Sequence, residues 1–202
     1  LESPESLQVG GAGWLAILRV RLLHSRVRVR ILDSTKGWDA RTFGLPLNQE
    51  DMMGTLLAFS ANVLESIDRI ALFGPYVQET RLNGLVSPVS QSEQEDYLHV
   101  WRWVGVLIGV HDEYNYCDDI CRAKGAVESI VSHLLHPNDR SRAVAASVLS
   151  AVADRPPLHW NLAKHSQAAR MLLGAPLSDA LGIAFSFKHF IELSVAFVAL
   201  AF

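Results

Sequence analysis

His24 lies within the arginine-rich segment RVRLLHSRVRVR (residues 19–30), and its position there could support metal chemistry. At about 100° per residue, an α-helix would place His24 on one apolar face with Ile17, Val20, Val27 and Ile31. Arg21 and Arg28 would flank it. A buried imidazole beside arginines suits an iron porphyrin, because the ring can bind iron and the guanidinium groups can pair with propionates. A core histidine hydrogen-bonded to a carbonyl fits the same pattern, and this helix alone favours that interpretation.

A second cluster surrounds His99, with Glu95 and Asp96 one helical turn before it and Arg102 one turn after it. This spacing would bring the four side chains onto one face of a helix. They could form a metal site, since the Asp-x-x-His spacing resembles the Glu-x-x-His motif of di-iron bundles. Such a site needs further carboxylates from facing helices, and no matching motif supplies them. A buried polar cluster that fixes the helix is the commoner explanation.

Composition describes a folded domain and limits its partners. The chain has 202 residues, of which 50% are hydrophobic and 19% charged, and its formal net charge is −3. These values exclude a disordered chain and fit one domain over residues 1–202. The arginines of segment 19–30 lack interleaved aromatic residues for base stacking, so we predict no nucleic-acid partner. Cys117 and Cys121 are too few for a disulfide scaffold or a zinc site.

The hydrophobic periodicity predicts an all-α fold without strands. We expect a first helix over 13–32 and a second that begins at Asn48, where Asp51 completes a capping box. Glu50 or Asp51 could act as a general base, but an ordinary helix start explains both. A loop over 74–88 precedes a central helix from Ser90 to Val110 that is apolar almost all round. The remaining predicted helices cover 118–136, 138–154 and 161–173, followed by a last segment from Pro176.

The ends of the chain bear on its localisation. No signal peptide is recognisable in residues 1–13, and the apolar segment 183–202 is interrupted by Lys188 and Glu192, which leaves it too short to span a bilayer. Both ends look cut, so we expect a fragment of an intracellular protein. Association with a membrane, such as that of the endoplasmic reticulum, would use segments outside this chain or the apolar C-terminus.

Three blocks resemble a known family in order and spacing: RVRLLHSRVRVRIL, GLPLNQEDMMGTLLAFS and EDYLHVWRWVGVLIGV. The family comprises the rubber oxygenases (latex-clearing proteins) and the ER-bound oxygenase MpaB of mycophenolic acid biosynthesis. The resemblance covers residues 13–182 and continues through RPPLHW in the manner of fungal members, which act in secondary metabolism. It implies an all-helical domain that binds haem b through one proximal histidine. It also implies cleavage of carbon–carbon double bonds by dioxygen in a hydrophobic, isoprenoid or prenylated substrate.

The resemblance assigns roles to individual residues. His24 matches the family's histidine and becomes the expected axial ligand of the haem iron, while the helical wheel makes Arg21 and Arg28 the expected propionate partners. Asp96, His99 and Arg102 would lie around the pocket. The family's distal catalytic residues lie upstream of the histidine motif, and nothing in the 23 residues before His24 matches them, so the catalytic residues stay unknown. Two alternatives remain open: a non-haem iron oxidase that uses His99 and nearby carboxylates, and a non-catalytic helical remnant that binds a lipid.

Overall fold

A computed structural model describes residues 3–34, 37–71 and 89–200, and no strand occurs among them. The predicted all-α fold is therefore confirmed. The α-helices are α1 (Ala12–Leu32), α2 (Ala40–Phe43), α3 (Gln49–Phe59), α4 (Ala61–Ala71), α5 (Gln91–Ile108), α6 (Ile120–Ser129), α7 (Asp139–Val152), α8 (Leu162–Leu173), α9 (Ala175–Ala180) and α10 (Phe187–Leu200). Short 3₁₀ turns cover Pro4–Leu7, Asp112–Tyr114 and Tyr116–Asp118.

Side-chain caps fix several helix starts where the sequence predicts them. The side chain of Asn48 accepts from the backbone N–H of Asp51, and the Asp51 carboxylate accepts from the backbone N–H of Asn48. At the start of α7 the Asn138 side chain accepts from the backbone N–H groups of Arg140 and Ser141, and at the start of α8 the Asn161 side chain accepts from that of Lys164. A capping side chain satisfies N–H groups that have no partner within the helix, so the signal is local and readable from sequence.

Two helices depart from their predicted course, and the predicted loop over 74–88 lies outside the described residues. The helix expected from Asn48 to Val63 is interrupted at Ser60, whose hydroxyl donates to the carbonyl of Leu56 at 2.8 Å. The helix expected over 118–136 begins at Ile120, and its last turn, Ile130–Leu134, is a π-helix. Both departures change the direction or pitch of a helix without changing its apolar pattern, so the periodicity did not reveal them.

The described residues within 1–64 and 91–132 form one compact unit, and those within 65–90 and 133–202 form a second. The single domain expected from the composition stays a prediction.

In the first unit, α5 is the central element, as predicted. Helices α1, α3 and α6 and the 3₁₀ turn Tyr116–Asp118 all pack against it. Trp103 and Val106 are nevertheless exposed, so α5 is not covered on every side. The unit is held by a cluster of buried apolar side chains: Leu7, Met53, Leu56, Leu57, Ala61, Leu64, Leu98, Val104, Val110, Cys117 and Ala123.

The carboxyl-terminal half of α5 is held by side chains from three other segments. The Asn115 amide donates to the carbonyl of Arg102 at 2.9 Å. The Arg21 guanidinium donates to the carbonyl of Leu107 at 3.2 Å, and the Gln49 amide donates to the carbonyl of Gly109 at 3.1 Å. The carbonyl of Leu107 lies in the last turn of α5 and that of Gly109 just after it, so Arg21 and Gln49 satisfy groups without a partner inside the helix, whereas the Arg102 carbonyl lies further within α5.

Gly105 allows the closest of these approaches. Asn115 is fully buried, and a Cβ on Gly105 would lie 2.7 Å from its Nδ2 and 2.8 Å from Cδ2 of Leu56. Both atoms belong to buried side chains, and the amide is also held by its hydrogen bond to Arg102. Neither can move away without disturbing the core, so this position in α5 requires glycine.

We therefore expect Gly105→Ala to lower the free energy of unfolding by about 1–3 kcal/mol through overpacking. The matched control is Gly125→Ala in α6, where a Cβ would meet nothing within 4 Å. Alanine there should raise the stability by about 0.5–1 kcal/mol, because glycine is a poor residue in a helix interior. Urea unfolding of both variants measures the difference, and equal effects at the two positions would contradict this explanation.

The second unit is organised by α8, which contacts α7, α9 and α10. Gln167 of α8 is buried and accepts from the backbone N–H of Ser186 at 2.9 Å, immediately before α10. Arg170 of α8 is mostly buried, pairs with Asp179 at 2.6 Å and donates to the carbonyl of Ile183. These polar side chains fix the chain that connects α9 to α10.

Candidate functional site

His24 is half-buried on α1, and its Nδ1 atom is completely buried. The structure shows no hydrogen bond to this atom from any described residue. Ile17, on the same side of the helix, packs against the core of the first unit. The predicted inward face of α1 is therefore present, and within the described part of the chain no carbonyl bonds Nδ1 of His24.

The apolar stripe expected around His24 is only partly covered. Ile17 and Ile31 are half-buried, whereas Val20 is 40% and Val27 37% exposed. The two exposed valines lie on the flank of His24 that is opposite to Arg21 and Arg28. That flank presents apolar surface directly beside the imidazole.

Arg21 and Arg28 flank His24 as predicted, and both hold backbone carbonyls. Arg21 reaches the end of α5 and packs beside Gly109. Its guanidinium lies about 3.5 Å from the point where any other residue at position 109 would carry its Cβ. Arg28 donates through Nε to the carbonyl of Pro46 at 3.0 Å and through Nη2 to the carbonyl of Leu47. The two arginines therefore attach α1 to α5 and to the chain that enters α3.

The predicted cluster on α5 is assembled around a cavity. Asp96, His99 and Arg102 line a space of about 310 Å³ together with Glu95, Leu98, Cys117, Asp118, Asp119 and Ile120. Asp118 and Asp119 add two carboxylates that sequence reasoning did not associate with His99. Their separation from α5 along the chain left no local signal for this contact.

The cavity is acidic and partly neutralised by ion pairs. Arg122 pairs with Asp118 at 2.6 Å, and Arg102 lies 3.6 Å from Asp112. Over the described ranges, no group of three or more His, Cys, Asp and Glu side chains is placed to hold a metal ion. Glu50 and Asp51 do not join this cavity, and Asp51 caps α3 as the helix-start explanation predicted.

His24 thus lies on the inward side of an arginine-rich first helix that packs against α5. The family described as "ER-bound oxygenase mpaB/B'/Rubber oxygenase, catalytic domain" matches residues 6–201, nearly the whole chain. The chain belongs to this family. Comparisons with curated proteins and with solved structures give no match.

Membership in the MpaB/rubber oxygenase family confirms the resemblance and makes the chain part of an oxygenase-type catalytic domain. The match extends further at both ends than the predicted 13–182. Among the described helices, none combines the length and the apolar character needed to cross a membrane.

Cys117 connects the α5 cavity to the core. Its thiol lines the cavity yet is almost fully buried, and Sγ lies 3.3 Å from the Ser60 hydroxyl at the α3–α4 junction. Burial raises the pKa of the Cys117 thiol, an effect that the Ser60 contact opposes and the charge of Asp118 reinforces. Cys121, one turn later, is exposed.

This contrast predicts different reactivities for the two thiols. The thiolate is the reactive form, so a raised pKa and poor access should make Cys117 at least about tenfold slower than Cys121 toward iodoacetamide at pH 8. Mass spectrometry of the modified peptides over time measures both rates in the folded protein. Cys121→Ser should remove the fast adduct and leave the slow one. Comparable rates at the two cysteines would show that Cys117 is not buried in solution.

Proposed function

We propose that this domain binds haem b through His24 and oxidises a hydrophobic, isoprenoid or prenylated substrate with dioxygen, cleaving a carbon–carbon double bond. The observation that carries the proposal is the placement, between Arg21 and Arg28 on α1, of a half-buried histidine whose Nδ1 has no hydrogen-bond partner among the described residues. A buried polar atom without a partner costs about 1–3 kcal/mol. Iron ligation would give the imidazole a role that its protein surroundings do not supply.

The surface beside His24 suits a large flat apolar group. Val20 and Val27 expose aliphatic side chains next to the half-buried ring, and exposed apolar area is stabilised when it is covered. A porphyrin against this flank would cover both valines. The residues present therefore fit the haem that the family implies.

Arg21 and Arg28 would pair with haem propionates while keeping their structural contacts. A guanidinium has five N–H donors, of which Arg21 uses one and Arg28 two on described carbonyls. The remaining donors of both residues have no partner in the described part of the chain. Because the carbonyl contacts hold each guanidinium in place, little side-chain freedom would be lost on binding a carboxylate.

The protein would contribute a ligand for the iron, positive charges for the propionates and an apolar surrounding that excludes water from the substrate. Haem iron, when bound, supplies the binding and activation of dioxygen. His24 would fix the iron by a nitrogen on a rigid helix, and Arg21 and Arg28 would orient the macrocycle. The aliphatic side chains around His24 would favour a hydrophobic substrate and keep water from the reacting double bond.

Absorption spectroscopy of the chain expressed with haem supply tests this function. We expect a Soret band with near-unit haem by the pyridine haemochrome assay, and its loss in His24→Ala. External imidazole should restore the band in that variant, which separates a lost ligand from a lost fold. Arg21→Ala and Arg28→Ala should retain the band but transfer haem to apomyoglobin faster.

His99→Ala is the matched control, because His99 is a second histidine of the same unit that lies on the α5 cavity. It should leave the haem content unchanged. Folded wild-type protein without haem would refute the proposal. Iron without porphyrin that is lost in His99→Ala would support the non-haem oxidase, and a lack of both iron and haem would support the non-catalytic helical remnant.

A further inference from the structure

The outward face of α1 carries a repeat that neither the core nor the His24 site uses. Leu15, Leu22 and Val29 recur every seven residues and are exposed, with Leu22 58% and Val29 56% accessible. Leu15 lies nine residues from His24, about half a turn around the helix axis, so this face points away from the imidazole. Leu18, Ser25 and Leu32 lie three residues after Leu15, Leu22 and Val29, respectively.

This pattern corresponds to the a and d positions of a heptad repeat over three heptads. Leu15, Leu22 and Val29 occupy a, and Leu18, Ser25 and Leu32 occupy d. Exposed apolar side chains also lie outside these positions, at Val20, Leu23 and Val27, so the seam is one part of a wider apolar surface. Its seven-residue spacing is the spacing that packing against another helix requires.

The charges beside the seam define the partner. Arg19 and Arg26 occupy e, Arg21 and Arg28 occupy g, and α1 contains no acidic residue. Arg19 and Arg26 are exposed and have no ion pair or hydrogen bond with any described residue. Two copies of α1 would oppose arginine with arginine in either orientation, which disfavours self-association.

We propose that the outward seam of α1 docks an amphipathic α-helix that carries leucine-like residues at a and d and glutamates or aspartates at its flanking positions. Arg19 and Arg26 would pair with these acidic residues, because Arg21 and Arg28 on the other side of the seam already donate to carbonyls of the first unit. This inference does not rest on haem binding, since the seam and His24 lie on opposite sides of the helix.

A charge-swap experiment tests the docking seam. The probe is a fluorescein-labelled synthetic 21-residue peptide with leucine at a and d and glutamate at e and g, whose like charges keep it from pairing with itself. Fluorescence anisotropy should show salt-dependent binding to the full chain. Arg19→Glu with Arg26→Glu should weaken this binding by about tenfold or more, and should create binding of a matched peptide with lysine at e and g.

The apolar part of the seam has its own variant and control. Leu22→Ser with Val29→Ser should abolish binding of both peptides. Val144→Ser with Val148→Ser on α7 is matched in exposure, since these valines are 63% and 58% accessible, and should change nothing. Circular dichroism establishes that each variant is folded, and His24→Ala should leave peptide binding intact whether or not the chain binds haem.

Several outcomes overturn the inference. The inference is wrong if folded wild-type protein does not bind the acidic peptide. It is also wrong if Arg19→Glu with Arg26→Glu leaves that binding unchanged. A dimer in sedimentation that dissociates in Leu22→Ser with Val29→Ser would assign the seam to a second copy of the chain. Binding to phosphatidylserine vesicles, lost on arginine reversal in a protein that ignores the peptide, would assign it to a lipid surface.

Discussion

The carboxyl-terminal half of α5 depends on hydrogen bonds to its backbone carbonyls, and the first unit is arranged around the donors. Asn115, Arg21 and Gln49 reach it from a 3₁₀ segment, from α1 and from the start of α3. Only Arg21 brings a full positive charge, which the negative end of the helix dipole favours. Because each donor belongs to a different segment, these bonds to α5 and to the residue that follows it also fix the positions of the neighbouring segments.

The same contacts determine how α1 is rotated. Arg21 at α5 and Arg28 at the carbonyls of Pro46 and Leu47 hold one side of the helix against the unit. His24 lies between them in the sequence and so faces inward. Arg19 and Arg26 are left on the outside with the heptad leucines. Arginines that look equivalent in the sequence therefore differ in function according to their angle around the helix.

Buried polar groups link the α5 cavity to the packing beneath it. Cys117 lies at the cavity and touches Ser60, the residue at which α3 ends before α4 begins. Asn115, two residues earlier, lies beneath Gly105. A change in the core at Gly105 or Ser60 would therefore move the residues that face His99. The cavity and the core of this unit form one packed arrangement.

The sequence by itself determined the all-α class, the capped helix starts at Asn48, Asn138 and Asn161, and the family. These features follow from local periodicity, from side chains that bond their own backbone within three residues, and from ordered motifs. It also placed His24 on the inward face of α1 and brought Asp96, His99 and Arg102 together on α5. Only the tertiary structure decided that Arg21 and Arg28 hold carbonyls, that Val20 and Val27 stay exposed, and that Cys117 meets the cavity. Those outcomes depend on which distant backbone groups lack partners after packing, and helical periodicity carries no information about contacts between segments far apart in the chain.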